Sequence, residues 1–196
     1  MLGTGIVKKL QTMWHQETIN AFNVVLKPVT IDDLELLREW RNRPDIRQYM
    51  FEQNEISSVQ QRDWFSKVSV DKTQLQFVIC YKEKRIGACN LKSSNSVAID
   101  ACISAESGMY IADNKYRGTI LAFFAALALN EFALLSLSLR AIVAKVKSSN
   151  VDALRFNEQL GYVTDSHQSS ENVVCLTLNA DAHQRAVKNF ARFIRN

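Results

Sequence analysis

Residues 106–118 read ESGMYIADNKYRG, and ten uninterrupted apolar residues, Ile120 to Leu129, follow almost at once. The first half, through Met109, Tyr110 and Ile111, has the alternation and the residue types of a strand. The polar segment around Asp113 and Asn114 turns the chain, and Gly118 opens a long helix that runs to about Leu135. That apolar run is cut by Asn130 and Glu131 before Phe132, so it falls short of the roughly 20 residues of a membrane span and reads as a buried helix. A strand follows at 141–147, with Ile142, Ala144 and Val146 on one face. Strand, buried helix and strand in this order make a crossover unit, which puts two parallel strands inside the sheet.

Downstream, Ser148, Ser149 and Asn150 offer N-caps for a shorter helix with Ala153, Phe156 and Leu160 on one stripe, and Gly161 ends it at the C′ position. Strands at 162–164 and 172–178 flank a polar loop, and the basic stretch 181–195 reads as helix. Upstream, a first strand at 23–29 leads to Thr30, Asp32 and Asp33, which start a helix carrying Leu34, Leu37 and Trp40 to about Asn42. Pro44 breaks it. Ser57 or Ser58 caps a second helix through Val68, and segments 74–82 and 85–92 pair as a hairpin. The order β-α-α-β-β-β-α-β-α-β-β predicts an α+β fold with residues 1–22 as an extension, 23–180 as the domain and 181–196 as a C-terminal helix.

The chain has 196 residues and a net charge of +4, too small to imply nucleic-acid binding by itself. With 47% hydrophobic and 22% charged residues, it excludes collagen-like and disordered classes. Cys80, Cys89, Cys102 and Cys175 form no C-x-x-C pair, so no metal site is expected, and they read as buried thiols of a cytoplasmic protein. Residues 1–10 lack the apolar core of a secretory signal. Arg38, Arg41, Arg43 and Arg47 crowd one short region, which suits a phosphate or another anion, although charge alone favours a solvated helix flank.

The stretch 106–118, its long helix, the next strand and then Asn150, Ala153, Phe156, Glu158, Gly161 and Tyr162 together resemble the GNAT acetyltransferase superfamily. The segment 37–50, LREWRNRPDIRQYM, followed by Ile56 and Ser57 at a helix start, is similar to the RimJ/RimL-like branch, and most of all to PseH-type UDP-4-amino-sugar N-acetyltransferases. The resemblance spans residues 23–178. It implies a single GNAT-type domain with a mixed, mostly antiparallel sheet flanked by helices, and acetyl-CoA as cofactor. The implied reaction is transfer of acetyl to the 4-amino group of a nucleotide-linked deoxysugar for surface glycan synthesis. A protein N-terminus, a small amine, or binding of CoA or a partner without turnover are the alternatives. The apolar Cys175 strand and the terminal helix are compatible with a homodimer.

Carried residue by residue, the resemblance implies a pyrophosphate cradle at Arg117, Gly118, Thr119, Ile120, Leu121 and Ala122, where helix N–H groups and the helix dipole favour an anion. Ile120 departs from the glycine usual there. Tyr110 and Ile111 lie on the strand that, by the resemblance, splays from its neighbour and contacts the pantetheine arm through its backbone, and Asn150 matches a cofactor contact, although a helix N-cap explains it equally well. Glu106 matches a carboxylate near the amine and is the first candidate base, with a solvent-facing edge residue as the bland reading; Asp100 is the second candidate. Asn157 stands where many relatives carry a proton-donating tyrosine, a role an amide cannot fill. Arg41, Asn42, Arg47, Tyr49 and Met50 match acceptor contacts. His15, His167 and His183 lie outside these motifs and are expected at the surface.

Overall fold

Helix starts are set by side chains at the offsets the sequence offers. Ser57, rather than Ser58, is the N-cap of α3 (Ser58–Val68): its hydroxyl accepts from the Gln60 N–H at 3.2 Å, and the Gln60 side chain accepts from the Ser57 N–H at 2.8 Å. Asp33 accepts from both the N–H and the hydroxyl of Thr30, starting a 3₁₀ turn (Ile31–Asp33) that runs into α1 (Leu34–Asn42). Pro44 does break that helix, but it also sits at N1 of a short α2 (Pro44–Arg47), which the sequence reading missed. The remaining helices are α4 (Ile120–Glu131), continued by a π turn (Phe132–Ser136), α5 (Val151–Gln159) and α6 (Ala180–Ile194).

The computed structural model describes residues 16–194. The strands are β1 (Ile19–Ala21), β2 (Val24–Pro28), β3 (Gln74–Tyr81), β4 (Lys84–Ser93), β5 (Ser104–Ile111), β6 (Ala141–Lys147), β7 (Val163–Thr164) and β8 (Val173–Leu178). They form one sheet in the order β1-β2-β3-β4-β5-β6-β8-β7. Only β5 and β6 pair in parallel; every other neighbouring pair is antiparallel. The segment expected as an arm up to residue 22 therefore supplies an edge strand, β1, whose three residues are too few to show a period. Residues 1–15, including His15 and the stretch read for a signal peptide, lie outside the described residues.

Alternation along β3 distributes the sheet's two faces. Leu75, Phe77 and Ile79 join the large core under α4, whereas Val78 and Cys80 face Leu37 and Trp40 of α1. Helix α4 is buried along almost its whole length, between the sheet and the pair α5 and α6; Phe123 lies 4.6 Å from the Phe156 ring and 4.8 Å from Phe190. The expectation that His183 lies at the surface is corrected. It is 1% exposed, because it falls on the α6 stripe of Ala186, Val187 and Phe190, spaced to face the core. Neither ring nitrogen has a hydrogen-bond partner among the described residues, and Nε2 stands 3.9 Å from a Glu131 carboxylate oxygen. His167 is exposed, as expected. All four cysteines are free and buried. No described helix is long and apolar enough to cross a membrane, and no group of metal-ligating side chains occurs among the described residues.

Candidate active site

Register creates the central feature. Strands β5 and β6 pair only at Ser104–Ala141, Ala105–Ile142 and Glu106–Val143, while β5 stays paired to β4 as far as Ile111 and β6 stays paired to β8 as far as Lys147. Beyond Glu106 the two parallel strands part, leaving a wedge whose walls are backbone edges without a strand partner. Such edges call for hydrogen bonds from an extended guest, and an amide-bearing chain is a natural one. Glu106 stands at the vertex.

The wedge opens toward the start of α4. There the Asp113 carbonyl accepts from the Tyr116 and Arg117 N–H groups, and Gly118 takes φ +71. Thr119 is the N-cap, its hydroxyl donating to the Tyr116 carbonyl at 2.7 Å and accepting weakly from the Leu121 N–H. A Cβ built on Gly118 meets nothing within 4 Å, so this bend lies open. The Gly118 and Ile120 N–H groups have no backbone acceptor among the described residues, and they sit at the positive end of the helix dipole. The departure at Ile120 does not close the bend, since its side chain packs against the core. An extended chain ending in a pyrophosphate fits this wedge and bend. The Arg117 guanidinium is turned aside: Nε donates to the Ile111 carbonyl at 3.2 Å, and Nη1 pairs with Asp45 at 2.8 Å.

A family model described as an acetyltransferase (GNAT) domain matches residues 23–163. The chain belongs to the GNAT acetyltransferase family. It is an N-acetyltransferase that uses acetyl-CoA. Its fold is similar to spermidine N-acetyltransferase from Vibrio cholerae in complex with CoA and spermine (TM-score 0.73, 21% identity, 83% of this chain and 98% of that one). Aminoglycoside acetyltransferase AAC(6')-Ib in complex with coenzyme A is comparable (0.69, 19% identity, 83% and 98%). So is Mycobacterium smegmatis RimJ in complex with CoA-disulfide (0.70, 17% identity, 89% and 95%). No curated protein sequence matches the chain.

On the far side of this GNAT wedge, Asn150 caps α5, its side chain accepting from the Ala153 N–H at 3.2 Å. The Asn157 amide donates to the Ala153 carbonyl at 2.8 Å, within its own helix. The α5–β7 turn is tied to the wedge by Tyr162, whose hydroxyl donates to Asn130 at 3.0 Å and meets the Ser107 hydroxyl at 3.3 Å. Burial pushes the Tyr162 phenol up to about 12, so it stays protonated.

The sheet face toward α1 carries the other predicted residues. Glu106 pairs with Lys145 of β6 at 2.7 Å, and that carboxylate raises the pKa of the lysine. Tyr110 shares this face, its ring edge-on to Trp40 at 6.5 Å, and burial raises the pKa of its phenol. Arg41 is half-buried beside Tyr110 and Glu52, and no carboxylate ion-pairs with it among the described residues; burial lowers its pKa, opposed by those two neighbours.

The rest of the arginine cluster is occupied. Arg38 pairs with Glu35, Arg47 with Glu55 at 2.9 Å, and Arg43 with Asp45 at 2.6 Å. Arg43 also donates to the Ala112 carbonyl, so Arg43, Asp45 and Arg117 fasten the α1–α2 elbow to the loop before α4. Both ends of the Asn42 amide are held by the Ile56 backbone at 2.8 Å, a loop clamp rather than a free ligand. Tyr49 and Phe51 remain 47% and 56% exposed, with Met50 half-buried between them, and Lys147 at the end of β6 donates to the neighbouring Gln48 carbonyl at 3.0 Å. Asp100 is exposed in the loop before β5, at the paired end of that strand and away from the wedge.

Proposed function

We propose that this GNAT enzyme acetylates the amino group of an anionic acceptor, a nucleotide-linked 4-amino deoxysugar. The observation that supports this reading best is Arg41, a half-buried guanidinium with no ion-pair partner on the face that also carries Glu106 and Tyr110. A half-buried cation with no ion pair of its own is available to an anion that comes to it, and its planar fork suits a diphosphate. Exposed Tyr49 and Phe51 offer faces for a base or sugar. Lys147, bonded only to a backbone carbonyl among the described residues, adds positive charge, which disfavours a polycation such as spermine.

Glu106 takes the proton from the attacking amine, directly or through one water, and the ion pair with Lys145 orients the carboxylate. Unpaired backbone N–H groups within 107–111, around Tyr110 and Ile111, are the donors for a carbonyl oxygen in the wedge. Bound acetyl-CoA supplies the activated acetyl thioester, and the cradle of Arg117, Gly118, Thr119, Ile120, Leu121 and Ala122, with Asn150 opposite, would hold it. Asn157 supplies no proton, so that of the departing thiolate comes from water or from the acceptor's ammonium.

The test is thiol release with acetyl-CoA across a UDP-linked 4-amino sugar, spermidine and an N-terminal peptide. Turnover of the sugar nucleotide is expected, with Arg41→Ala raising its KM by roughly tenfold or more and leaving that for acetyl-CoA unchanged. Turnover of spermidine or peptide while the sugar nucleotide is ignored would sink the reading.

A further inference from the structure

Gly108 of β5 pairs across the sheet with Asn90 of β4, on the strand that flanks the wedge. A Cβ built on Gly108 would lie 2.5 Å from the Asn90 side-chain oxygen, far too close for two such atoms. The Asn90 amide therefore occupies the space that any other residue at 108 would fill. By strand alternation this is the side of β5 to which Glu106 and Tyr110 point, the face that also carries Arg41. Asn90 is half-buried there, yet its amide has no hydrogen-bond partner among the described residues. Every other half-buried asparagine described above is engaged: Asn42 by Ile56, Asn150 and Asn157 by Ala153. A half-buried amide that the protein leaves unpaired keeps both its donors and its carbonyl available to a guest on this face.

We infer that Asn90 is a substrate-positioning residue, its amide hydrogen-bonding a polar group beside the acceptor's reactive amine. The location decides what it reads. It lies one strand over from the line between the Glu106 carboxylate and the Tyr110 phenol, so a group it holds sits next to the nitrogen that gives up its proton at Glu106. With two N–H donors and one carbonyl it suits a neighbouring hydroxyl or amide rather than a charge. Specificity of this kind is strong, because an acceptor lacking that group leaves the amide unpaired. The inference rests on the α1 side of the sheet being the acceptor face, and not on which amine is acetylated.

Three variants test it, with the UDP-linked 4-amino sugar as acceptor or, if the wild type ignores it, whichever of spermidine and the N-terminal peptide is acetylated. Asn90→Ala and Asn90→Leu are both expected to raise the acceptor KM about fivefold to tenfold, while CoA affinity by calorimetry and melting temperature stay near wild type. Gly108→Ala, which displaces the amide but keeps it, is expected to raise the acceptor KM similarly. If Asn90 merely fills space, Asn90→Leu keeps the wild-type KM, and that result overturns the inference. It is equally overturned if the variants weaken CoA binding and leave acceptor KM alone. A shift of the preferred acceptor to spermidine or peptide removes the nucleotide-sugar reading but leaves this one standing.

Discussion

Glu106→Gln keeps the shape of the residue at the vertex and removes the carboxylate proposed as the base. Its kcat is expected to fall on the order of a hundredfold, with CoA affinity by calorimetry unchanged, since the wedge and cradle are untouched. Unaltered kcat would move proton acceptance elsewhere. The place of Glu106 on the strand before the turn was readable from sequence because that strand, turn and helix form one contiguous motif. Asn90 was not, because a glycine partner and an unpaired amide are properties of strand register, and nothing in residues 84–93 announces them. The arginine cluster was legible only as a cluster. Which member is uncommitted depends on Glu35, Asp45 and Glu55, and two of those pairings reach across a helix break or a loop.

Elements were recovered more fully than their relations. Caps at Thr30, Ser57 and Asn150 and the stop at Gly161 all mark local backbone events, so each could be read from neighbouring residues. The parting of β5 from β6 could not be read from neighbouring residues and was expected only through the family resemblance, since it depends on where two segments 30 residues or more apart stop pairing. The bend into α4 is itself testable. Gly118→Ala forces an alanine to φ +71 without any clash, so destabilisation of about 1–2 kcal/mol and weaker CoA binding are expected from melting curves and calorimetry. At the elbow, Arg43 and Arg117 hold the Asp45 carboxyl down at about 2 from its ordinary 3.8. Its contribution is complete above pH 3.8 and is lost as pH falls toward 2, so wild type is expected to lose melting temperature more steeply than Asp45→Asn across that interval. Parallel acid curves would show that the clamp contributes nothing.

Across the whole molecule the balance is set by one large apolar layer, and His183 is, with Asn130, a polar group buried within it. Burial lowers its pKa from 6.5, so the unfolded chain takes up a proton that the folded one resists. Stability is therefore expected to fall as pH drops below 6.5, and His183→Leu to flatten that slope; an unchanged slope would locate the acid sensitivity elsewhere. The four buried thiols have a practical consequence of another kind. Desolvation raises the pKa of the Cys80, Cys89 and Cys102 thiols, so these buried side chains are mute toward alkylating dyes while the fold is closed. A dye that counts liberated coenzyme will thus read a nearly blank background from the catalyst. The same silence makes the cysteines built-in clocks: their labelling rate reports how often each layer of the sheet breathes, strand by strand, with no probe added.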